Sequence, residues 1–250
     1  MAGFGSTFCR ITRRSLGPGA PEATMSAEAN PHDEMIEEWD WERAQPTGRP
    51  VSRKAAHRGG IAHEGVHLWI MRTPASGPEI LFQHRARTKE LYPDCLDITV
   101  GGHVVYGHDD RKIQKESFEE IGIRPPDADL IDLGYYRYEE HADGLFHREF
   151  QRVYLLHDDR PLDGYVFRDG EVEGIFAVPL PTLEEIMSRD LTFEIEGFTG
   201  GRSVRRTVTR KDFHPLLFAP PMKVYMDVVF RAAHEYIETG RVAVRMPSPR

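Results

Sequence analysis

Three glutamates at helical spacing are the residues of this chain best suited to metal chemistry. Glu119 and Glu120 follow Glu116 by three and four residues, so a helix would set the three carboxylates on one face. Like charges at this spacing repel one another unless a cation compensates them. Carboxylate oxygens suit Mg²⁺ or Mn²⁺, the usual companions of a diphosphate substrate. The spacing therefore predicts a divalent metal site on this helix.

A Gly-Gly turn at Gly101 and Gly102 is predicted ahead of the helix, and Gly122 is its predicted C-cap. Together with the glutamates, this arrangement resembles the Nudix box, which ends in Arg-Glu, an apolar residue, any residue, Glu-Glu, any residue and Gly. The resemblance implies an α+β fold, namely an α/β/α sandwich with a mixed sheet. It also implies an enzyme that hydrolyses a diphosphate linkage with the help of Mg²⁺ or Mn²⁺. It covers roughly residues 36 to 190.

The box departs from the family pattern at three positions. Lys115 stands in place of the arginine, Ser117 in place of an apolar residue, and His108 or Gly107 in place of the first box glutamate. The segment before Lys115 is also one residue shorter than the pattern. In the family the arginine pairs with that glutamate, so its loss makes a supporting lysine tolerable. Two interpretations stay open: an active hydrolase, and a catalytically weak diphosphate-binding or regulatory protein.

Sequence beyond the box resembles the isopentenyl-diphosphate-isomerase-like branch of the family. The matching segments are His57-Arg58, His63, VHLWI, QHRA, the GGH turn and REFQRVY. In true isomerases of that branch a catalytic cysteine precedes the Gly-His of the turn, where this chain has Gly101. Cys95 lies six residues earlier, several strand rises away. Isomerase activity is therefore the third interpretation, behind the other two.

The resemblance to this branch also implies metal ligands outside the box. By position, His57, His63 and His103 match its histidine sites, and Glu149 matches a glutamate in the strand after the box. Imidazole is a good ligand for Zn²⁺ or Mn²⁺ and a poor one for Mg²⁺. Separate structural or surface roles and a joint second metal site both stay open for the histidines.

The implied reaction is the attack of water on a diphosphate, with Glu116, Glu119 and Glu120 holding the ion. Glu120 is the first candidate for the general base within the box, where Glu116 is also expected to be catalytic. Glu171 and Glu173 are the downstream candidates for the base, with an exposed strand edge as the alternative.

Substrate binding is predicted next to the box. Arg85, Arg87 and Lys89 follow a predicted core strand and are candidates for holding phosphate, although an exposed loop would explain them equally well. Gly101 and Gly102 are predicted to lie against the substrate. The organic half of that substrate is left open.

Composition excludes several classes of protein. A chain of 250 residues with 40% hydrophobic content forms one large domain or two small ones. A net charge of -8 argues against nonspecific nucleic-acid binding. Only two cysteines, Cys9 and Cys95, make a disulfide framework unexpected and favour a reducing compartment. We expect a cytoplasmic protein with a small-molecule diphosphate substrate and no membrane partner, and the sequence allows a homodimer.

The first 34 residues differ from the rest, since they are rich in small residues and show no periodic apolar face. Up to residue 20 they carry three arginines and no acidic residue, which is typical of an organellar transit peptide. Disorder, or a start artefact with Met25 or Met35 as the true initiator, is the favoured explanation. Residues 35–250 are predicted to form the Nudix domain.

The remaining elements are predicted from periodicity and turn residues. A hairpin is expected around Pro46-Thr47-Gly48, and Asp109 or Asp110 is expected to cap the box helix. The predicted strands span residues 66–71, 79–86, 95–100, 130–140, 148–157 and 171–180. Within 191–250, a peripheral hairpin at residues 200–201 and a C-terminal helix ended by Gly240 are predicted. The basic residues of this hairpin predict either a solvated surface or a phosphate- or partner-binding arm.

Overall fold

The computed structural model describes residues 34–107, 111–142 and 145–248. Within these ranges the chain forms eleven strands and four α-helices. In chain order they are β1 (Met35–Asp40), β2 (Gln45–Ser52), α1 (Arg53–Gly59), β3 (His63–Arg72), β4 (Glu79–Arg85), β5 (Leu96–Asp97), β6 (Val100–His103), α2 (Lys112–Ile121), β7 (Ile131–Ala142), β8 (Leu145–His157), β9 (Val172–Pro179), α3 (Leu180–Ser188), β10 (Phe193–Thr199), β11 (Arg202–Val208) and α4 (Pro220–Thr239). The predicted leader and His108 lie outside the described residues.

Strand β3 is the centre of the sheet. It pairs in parallel with β8 along one edge. Along the other edge it pairs antiparallel with β6 and then with β4. β9, β10 and β11 extend antiparallel from β4, and β7 pairs antiparallel with β8. The sheet is therefore mixed, as predicted.

Helices cover both faces of this sheet. Successive residues of a strand point to opposite faces. Accordingly Val66 and Leu68 of β3 pack with Ile113 of α2, whereas Trp69 packs with Tyr225 of α4. Each such buried side chain contributes about 1.5–3 kcal/mol. The predicted α+β fold with helices on both sides of the sheet is confirmed.

The box helix, α2, ends where the sequence predicts. Its C-cap is Gly122, with a φ of 76°, and a Cβ there would lie 2.9 Å from the Cβ of Val166. Both the left-handed backbone and the close contact require glycine. The N-cap is Arg111, whose side chain makes no capping hydrogen bond within the described part of the chain. The predicted caps Asp109 and Asp110 lie outside the described residues.

The first hairpin turns earlier than predicted. Its turn comprises residues 41–44, and Pro46-Thr47-Gly48 lie within β2. The carboxylate of Asp40 accepts hydrogen bonds from the backbone N–H groups of Glu42 (3.0 Å) and Arg43 (2.9 Å). This side-chain turn outweighs the Pro and Gly signals that follow it.

The predicted Gly-Gly turn is wrong, because Gly101 and Gly102 lie inside strand β6. The predicted strand 95–100 is in turn divided between β5 and β6. At the break the hydroxyl of Thr99 donates to the carbonyl of Leu81 and accepts from the N–H of Ile70 at 3.1 Å. These bonds replace ladder hydrogen bonds at that point, so the strand is interrupted.

Helix α1 was not predicted. Its N-cap is Ser52, whose side chain accepts a hydrogen bond from the N–H of Ala55. Gly60 ends it in the left-handed conformation, with a φ of 63°. The helix is short and polar, so it lacks the long apolar periodicity from which helices are recognised. It matters for the site because it carries His57.

The peripheral hairpin and the C-terminal helix form as predicted. The arginines of the hairpin are used within the chain: Arg205 pairs with Glu196 at 2.7 Å, and Arg206 pairs with Asp212 at 2.9 Å. These contacts favour a solvated hairpin over a phosphate-binding arm. None of the helices in the described ranges has both the length and the apolar character needed to cross a membrane.

Candidate metal centres

An acidic group lies beside the box helix. Among the described residues, Glu120, Asp169 and Glu171 offer ligand oxygens that all lie within 4.8 Å of one another. Glu120 comes from α2, and the other two come from the segment just before β9. We call this group the acidic centre. Sequence reasoning proposed Glu120 and Glu171 but missed Asp169, for which the acidic run at residues 169–173 was the available signal.

Glu120 is the buried member of the acidic centre. Its Oε2 accepts hydrogen bonds from Nε2 of Gln83 (3.1 Å) and from the N–H of Gly101 (3.3 Å). Burial, together with repulsion from Glu116 and Asp169, raises the pKa of Glu120 well above its usual range. A buried carboxylate among other carboxylates calls for a cation, so a divalent ion fits this donor set.

Glu116 lies next to the acidic centre and is positioned by a glycine. A Cβ at Gly102 would lie 2.5 Å from Cδ of Glu116, so only glycine leaves room for this carboxylate. Burial raises the pKa of Glu116 to about 7, and repulsion from Glu119 adds to the effect. Glu116 therefore holds a proton near neutral pH that a bound cation would displace.

Glu119 does not share the inward orientation of Glu120. Its side chain is 45% exposed and pairs with Nζ of Lys115 at 2.9 Å. Lys115 also reaches Glu116, at 3.3 Å. Consecutive helix residues differ by about 100° around the axis, so two adjacent glutamates point in different directions. Neither Glu116 nor Glu119 belongs to the acidic centre formed by the described residues Glu120, Asp169 and Glu171.

The three predicted phosphate-binding cations have different surroundings. The guanidinium of Arg85 donates to the carbonyls of Leu91 and Tyr92, both at 2.9 Å, and to the carboxylate of Asp97 at 3.1 Å. These bonds brace the loop between β4 and β5. Arg85 therefore holds the chain together, in contrast to the predicted contact with substrate.

Arg87 and Lys89 complete this set. The side chain of Arg87 is 73% exposed and lies 3.4 Å from the carboxylate of Asp94. Lys89 pairs through Nζ with the carboxylate of Glu171. Of the three predicted cations, Lys89 is the one that contacts the acidic centre, so it is the best placed to meet a phosphate there.

A second group combines imidazoles with one carboxylate. His57, His63, His103 and Glu149 offer ligand atoms that all lie within 4.8 Å of one another. They come from α1, β3, β6 and β8. We call this group the histidine centre. The parallel register of β3 and β8 places His63 directly beside Glu149, and the resemblance to the isomerase-like branch had suggested these four residues.

The geometry of the histidine centre suits a metal ion. Nε2 of His57 lies 3.1 Å from Nε2 of His103, and Oε1 of Glu149 lies 3.7 Å from Nε2 of His63. Nδ1–H of His63 donates to the carbonyl of Ile61 at 2.9 Å, which leaves the Nε2 lone pair free. That Nε2 is buried and has no hydrogen-bond partner among the residues that the structure describes. An unpartnered buried nitrogen aimed at a carboxylate and two imidazoles fits a metal ligand.

Charge at the histidine centre favours the same conclusion. Burial lowers the pKa of His57 to about 2 and that of His103 to about 4, so both rings are neutral at pH 7. Burial alone would raise the pKa of Glu149, but hydrogen bonds from His103 and His147 hold it well below its usual range. Neutral imidazoles and an ionised carboxylate are the forms that bind a metal, and Zn²⁺ or Mn²⁺ suits them.

His147 is a neighbour of this centre that sequence reasoning missed. Its Nδ1 lies 3.5 Å from Oε1 of Glu149, and its ring centroid lies 4.7 Å from that of His57. It precedes Glu149 by two residues, so both side chains project from the same face of β8. That spacing was the available signal in the sequence.

The two centres lie on opposite faces of the sheet. A Cβ built at Gly102 of β6 would face Glu116 of α2. The side chain of the next residue, His103, projects from the other face and joins the histidine centre. Gly101, the residue before Gly102 on the same strand, donates its N–H to Glu120 of the acidic centre. A single short strand therefore contributes to both centres.

No protein-family model matches the chain. The chain is 26% identical over 182 residues to an uncharacterized Nudix hydrolase of Clostridium acetobutylicum. This alignment covers 72% of this chain and 88% of that protein. It is 30% identical over 153 residues to Nudix hydrolase 3 of Arabidopsis thaliana, covering 58% of this chain and 19% of that protein. The comparisons support the Nudix hydrolase family. A solved structure from Deinococcus radiodurans aligns at 20% identity and a TM-score of 0.47, covering 62% of this chain and 90% of that chain.

Glu120 of the acidic centre belongs to the segment whose sequence predicts a divergent Nudix box. Asp169 and Glu171 lie outside that segment and are brought to it by the loop before β9. The histidine centre contains no residue of the box helix.

Proposed function

We propose that this chain is a metal-dependent Nudix-type diphosphohydrolase that acts at its acidic centre. The observation that carries the proposal is Glu120, a buried carboxylate fixed by Gly101 and Gln83 with Asp169 and Glu171 within 4.8 Å. The two relatives named as Nudix hydrolases support hydrolysis of a diphosphate bond. Carboxylate oxygens favour Mg²⁺ or Mn²⁺ as the ion.

Asp169 and Glu171 of the acidic centre would hold this ion beside Glu120, and Glu116, which lies next to that group, would move to complete the ligand set. When bound, it would neutralise phosphate charge and acidify a water molecule. Glu120 is assigned as the general base: both of its hydrogen bonds from described residues go to Oε2, which leaves Oε1 to accept the proton of the attacking water. The water oxygen forms a new bond to phosphorus as the bridging P–O bond breaks, and the leaving phosphate takes that electron pair.

Two salt bridges favour the alternative of a catalytically weak diphosphate-binding protein. Lys115 pairs with Glu116, and Lys89 pairs with Glu171, so part of the negative charge at the site is already compensated. Such pairs would weaken the binding of an ion. They would be exchanged for the ion and the substrate phosphate in an active enzyme.

Isomerase activity is the least supported function. Gly101 supplies no thiol. Cys95 is buried, and burial raises its pKa to about 12, so it is not a reactive thiolate at neutral pH. Membership of the isomerase-like branch would therefore concern the histidine ligands rather than isomerase chemistry.

Phosphate release from a panel of nucleoside and non-nucleoside diphosphates, with Mg²⁺ or Mn²⁺, tests the hydrolase. We expect turnover by the wild type and a loss of at least about 10²-fold in Glu120→Gln. Glu184→Gln is the matched control, because Glu184 lies on α3 and pairs with His234 at 2.7 Å, away from the acidic centre. Equal rates in Glu120→Gln and the wild type would refute the assignment. Tight diphosphate binding without turnover would select the binding protein.

A further inference from the structure

The segment before β9 crosses the C-terminal end of α2 on its way to the acidic centre. The N–H of Val166 donates to the carbonyl of Ile121, in the last turn of α2, at 3.1 Å. Farther along, the N–H of Ala86 donates to the carbonyl of Glu171 at 2.8 Å. Backbone hydrogen bonds therefore fix the segment at both ends. Asp169 lies between these two points, in an irregular and exposed part of the chain.

Arg168 connects this segment to the side of α2 that faces away from the acidic centre. Its guanidinium carbon lies 4.6 Å from the ring centroid of Phe118. Residues two positions apart on a helix differ by about 200° around its axis, so Phe118 and Glu120 project from nearly opposite sides of α2. Arg168 thus contacts one side, while the carboxylate of Asp169 lies within 4.8 Å of that of Glu120 on the other. Together the two neighbouring residues hold the segment across the helix end.

Asp169 needs such an anchor because charge acts against its position. Repulsion among the carboxylates of Glu120, Asp169 and Glu171 favours a wider separation when no cation is bound. Glu120 is buried on a helix, whereas Asp169 is exposed on an irregular segment, so Asp169 is the member that moves more easily. Its carboxylate also accepts the N–H of Glu171 at 2.8 Å. A shift of Asp169 would therefore disturb Glu171 as well.

We infer that Arg168 is a positioning residue of the acidic centre and that the ring of Phe118 is its anchor. Stacking of the guanidinium on the ring holds Asp169 beside Glu120 before an ion binds. This role rests on the proposed function, because it requires an ion at the acidic centre. Loss of a guanidinium–ring contact at an exposed site corresponds to about a two- to fivefold change in an equilibrium constant.

The charge of Arg168 by itself predicts the opposite result. A positive charge in the residue next to Asp169 repels a cation bound there. If Arg168 acted only through this charge, Arg168→Gln would tighten the binding of a divalent ion. If Arg168 acts by holding Asp169 in place, the same substitution weakens binding. The sign of the change in affinity therefore separates positioning from electrostatics.

Calorimetric titration of the full-length protein with Mg²⁺ tests this role, because imidazoles bind Mg²⁺ poorly and the histidine centre should not contribute. We expect Arg168→Gln and Phe118→Leu each to bind Mg²⁺ about two- to fivefold more weakly than the wild type. Phe118→Tyr keeps the ring and should bind like the wild type. Unchanged or tighter binding in Arg168→Gln would overturn the inference.

Arg124→Gln is the matched control. The guanidinium carbon of Arg124 lies 4.0 Å from the centroid of the same Phe118 ring, but Arg124 follows α2 in the segment that leads to β7. Its loss removes the same charge from the same ring without releasing Asp169, so Mg²⁺ affinity should not fall. An equal loss of affinity in Arg124→Gln and Arg168→Gln would refute the specific role of Arg168.

A double variant shows whether Arg168 acts through Asp169. In an Asp169→Asn background, Arg168→Gln should cause no further loss of Mg²⁺ affinity, because the carboxylate that it positions is already gone. A full additional loss would contradict the inference. Hydrogen exchange of residues 166–171 in the metal-free protein gives a second readout. Exchange should be faster in Arg168→Gln than in the wild type and unchanged in Arg124→Gln, and equal rates in all three would count against the anchor.

Mg²⁺ binding and the hydrolase assay fail separately, because binding is measured without substrate. A wild type that binds Mg²⁺ but releases no phosphate refutes the hydrolase and leaves the role of Arg168 in place. A wild type that binds no Mg²⁺, or whose binding survives Glu120→Gln undiminished, overturns the role of Arg168 whatever the assay shows. In an active enzyme, saturating Mg²⁺ should bring kcat of Arg168→Gln to within about twofold of the wild type.

Discussion

The acidic centre and the histidine centre share strand β6, yet they bury charge in opposite ways. At the acidic centre, carboxylates are crowded together, and burial raises the pKa values of Glu116 and Glu120. At the histidine centre, burial keeps the imidazoles neutral around one ionised carboxylate. A cation bound at the first face would therefore displace protons from Glu116 and Glu120, whereas the imidazoles of the second centre are already in the form that binds a metal. Adjacent residues of one strand thus lie beside two candidate sites with different donor sets, carboxylates on one face and imidazoles with one carboxylate on the other.

The largest effect that would separate the centres is expected from Gly102→Ala. The added Cβ would lie 2.5 Å from Cδ of Glu116 and displace that carboxylate. We expect a loss of about 10²-fold in Mg²⁺-dependent hydrolysis, with a destabilisation of about 1–3 kcal/mol. Steady-state kinetics and thermal unfolding measure the two effects. Gly59→Ala is the control, because a Cβ there meets its nearest atom, on Ile61, at an ordinary 3.6 Å.

The affinity of the protein for Zn²⁺ should depend on the histidine centre, on the opposite face of the sheet from the acidic centre. His103→Gln removes an imidazole that lies 3.1 Å from His57 and 3.8 Å from Glu149. We expect Zn²⁺ to bind about 10–100-fold more weakly, as measured by competition with a chelating dye. His141→Gln, at an exposed histidine, should leave the affinity unchanged. A Zn²⁺ affinity that responds to Glu120→Gln and not to His103→Gln would reverse the assignment of the two centres.

The two centres should respond differently to pH. Glu116 has a pKa of about 7 in the folded protein against 4.5 as an ordinary carboxyl, so the folded state binds the proton more tightly. Its contribution to stability is therefore present below pH 4.5 and is lost as pH rises toward 7. A bound ion displaces this proton, so Mn²⁺ affinity at the acidic centre should rise by up to about tenfold per pH unit below pH 7.

Calorimetric titration of Mn²⁺ between about pH 5.5 and about pH 8 measures this dependence. Glu116→Gln should flatten it. Zn²⁺ binding at the histidine centre should change little over the same range, because the pKa values of His57 and His103 are about 2 and about 4. A steep rise in Zn²⁺ affinity across this range would contradict the neutral state of the imidazoles.

The smallest effect is expected at the edge of the acidic centre. Arg87 is exposed and pairs only loosely with Asp94. Arg87→Gln should change stability by less than about 0.5 kcal/mol and KM by less than about twofold. Lys89→Gln is the comparison. Lys89 contacts Glu171, so this substitution should raise KM more than Arg87→Gln does. A larger effect of Arg87→Gln than of Lys89→Gln on KM would indicate that the substrate phosphate binds near the exposed Arg87 and not near Lys89.

Local features of the fold could be predicted from the sequence. The strands around β3 and β8 show apolar residues in short runs, and Gly122 and Gly240 mark helix ends because they adopt left-handed conformations there. The turn of the first hairpin and the interruption at Thr99 were missed. Both depend on a side chain that bonds to a particular backbone group, which composition does not reveal.

The candidate sites were predictable only in part. Glu120 and Glu171 were identified separately, but their meeting with Asp169 depends on the path of the loop before β9. Arg85 was expected to bind phosphate, and its donors are instead used by the loop between β4 and β5. A charged side chain looks equally free in a sequence whether or not the fold provides it with a partner.

The sequence by itself determined the chemistry available to this protein: a helix bearing Glu116 and Glu120 behind two glycines, and histidines spaced along separate segments. The tertiary structure decided which of these groups meet. Parallel pairing of β3 with β8 puts Glu149 beside His63, although 86 positions separate them along the chain. The alternation of β6 then sends Gly102 and His103 to opposite faces, since a strand reverses its side-chain direction at every residue. Spacing along the chain fixes local orientation, but only the register between distant strands brings the ligands of a metal together.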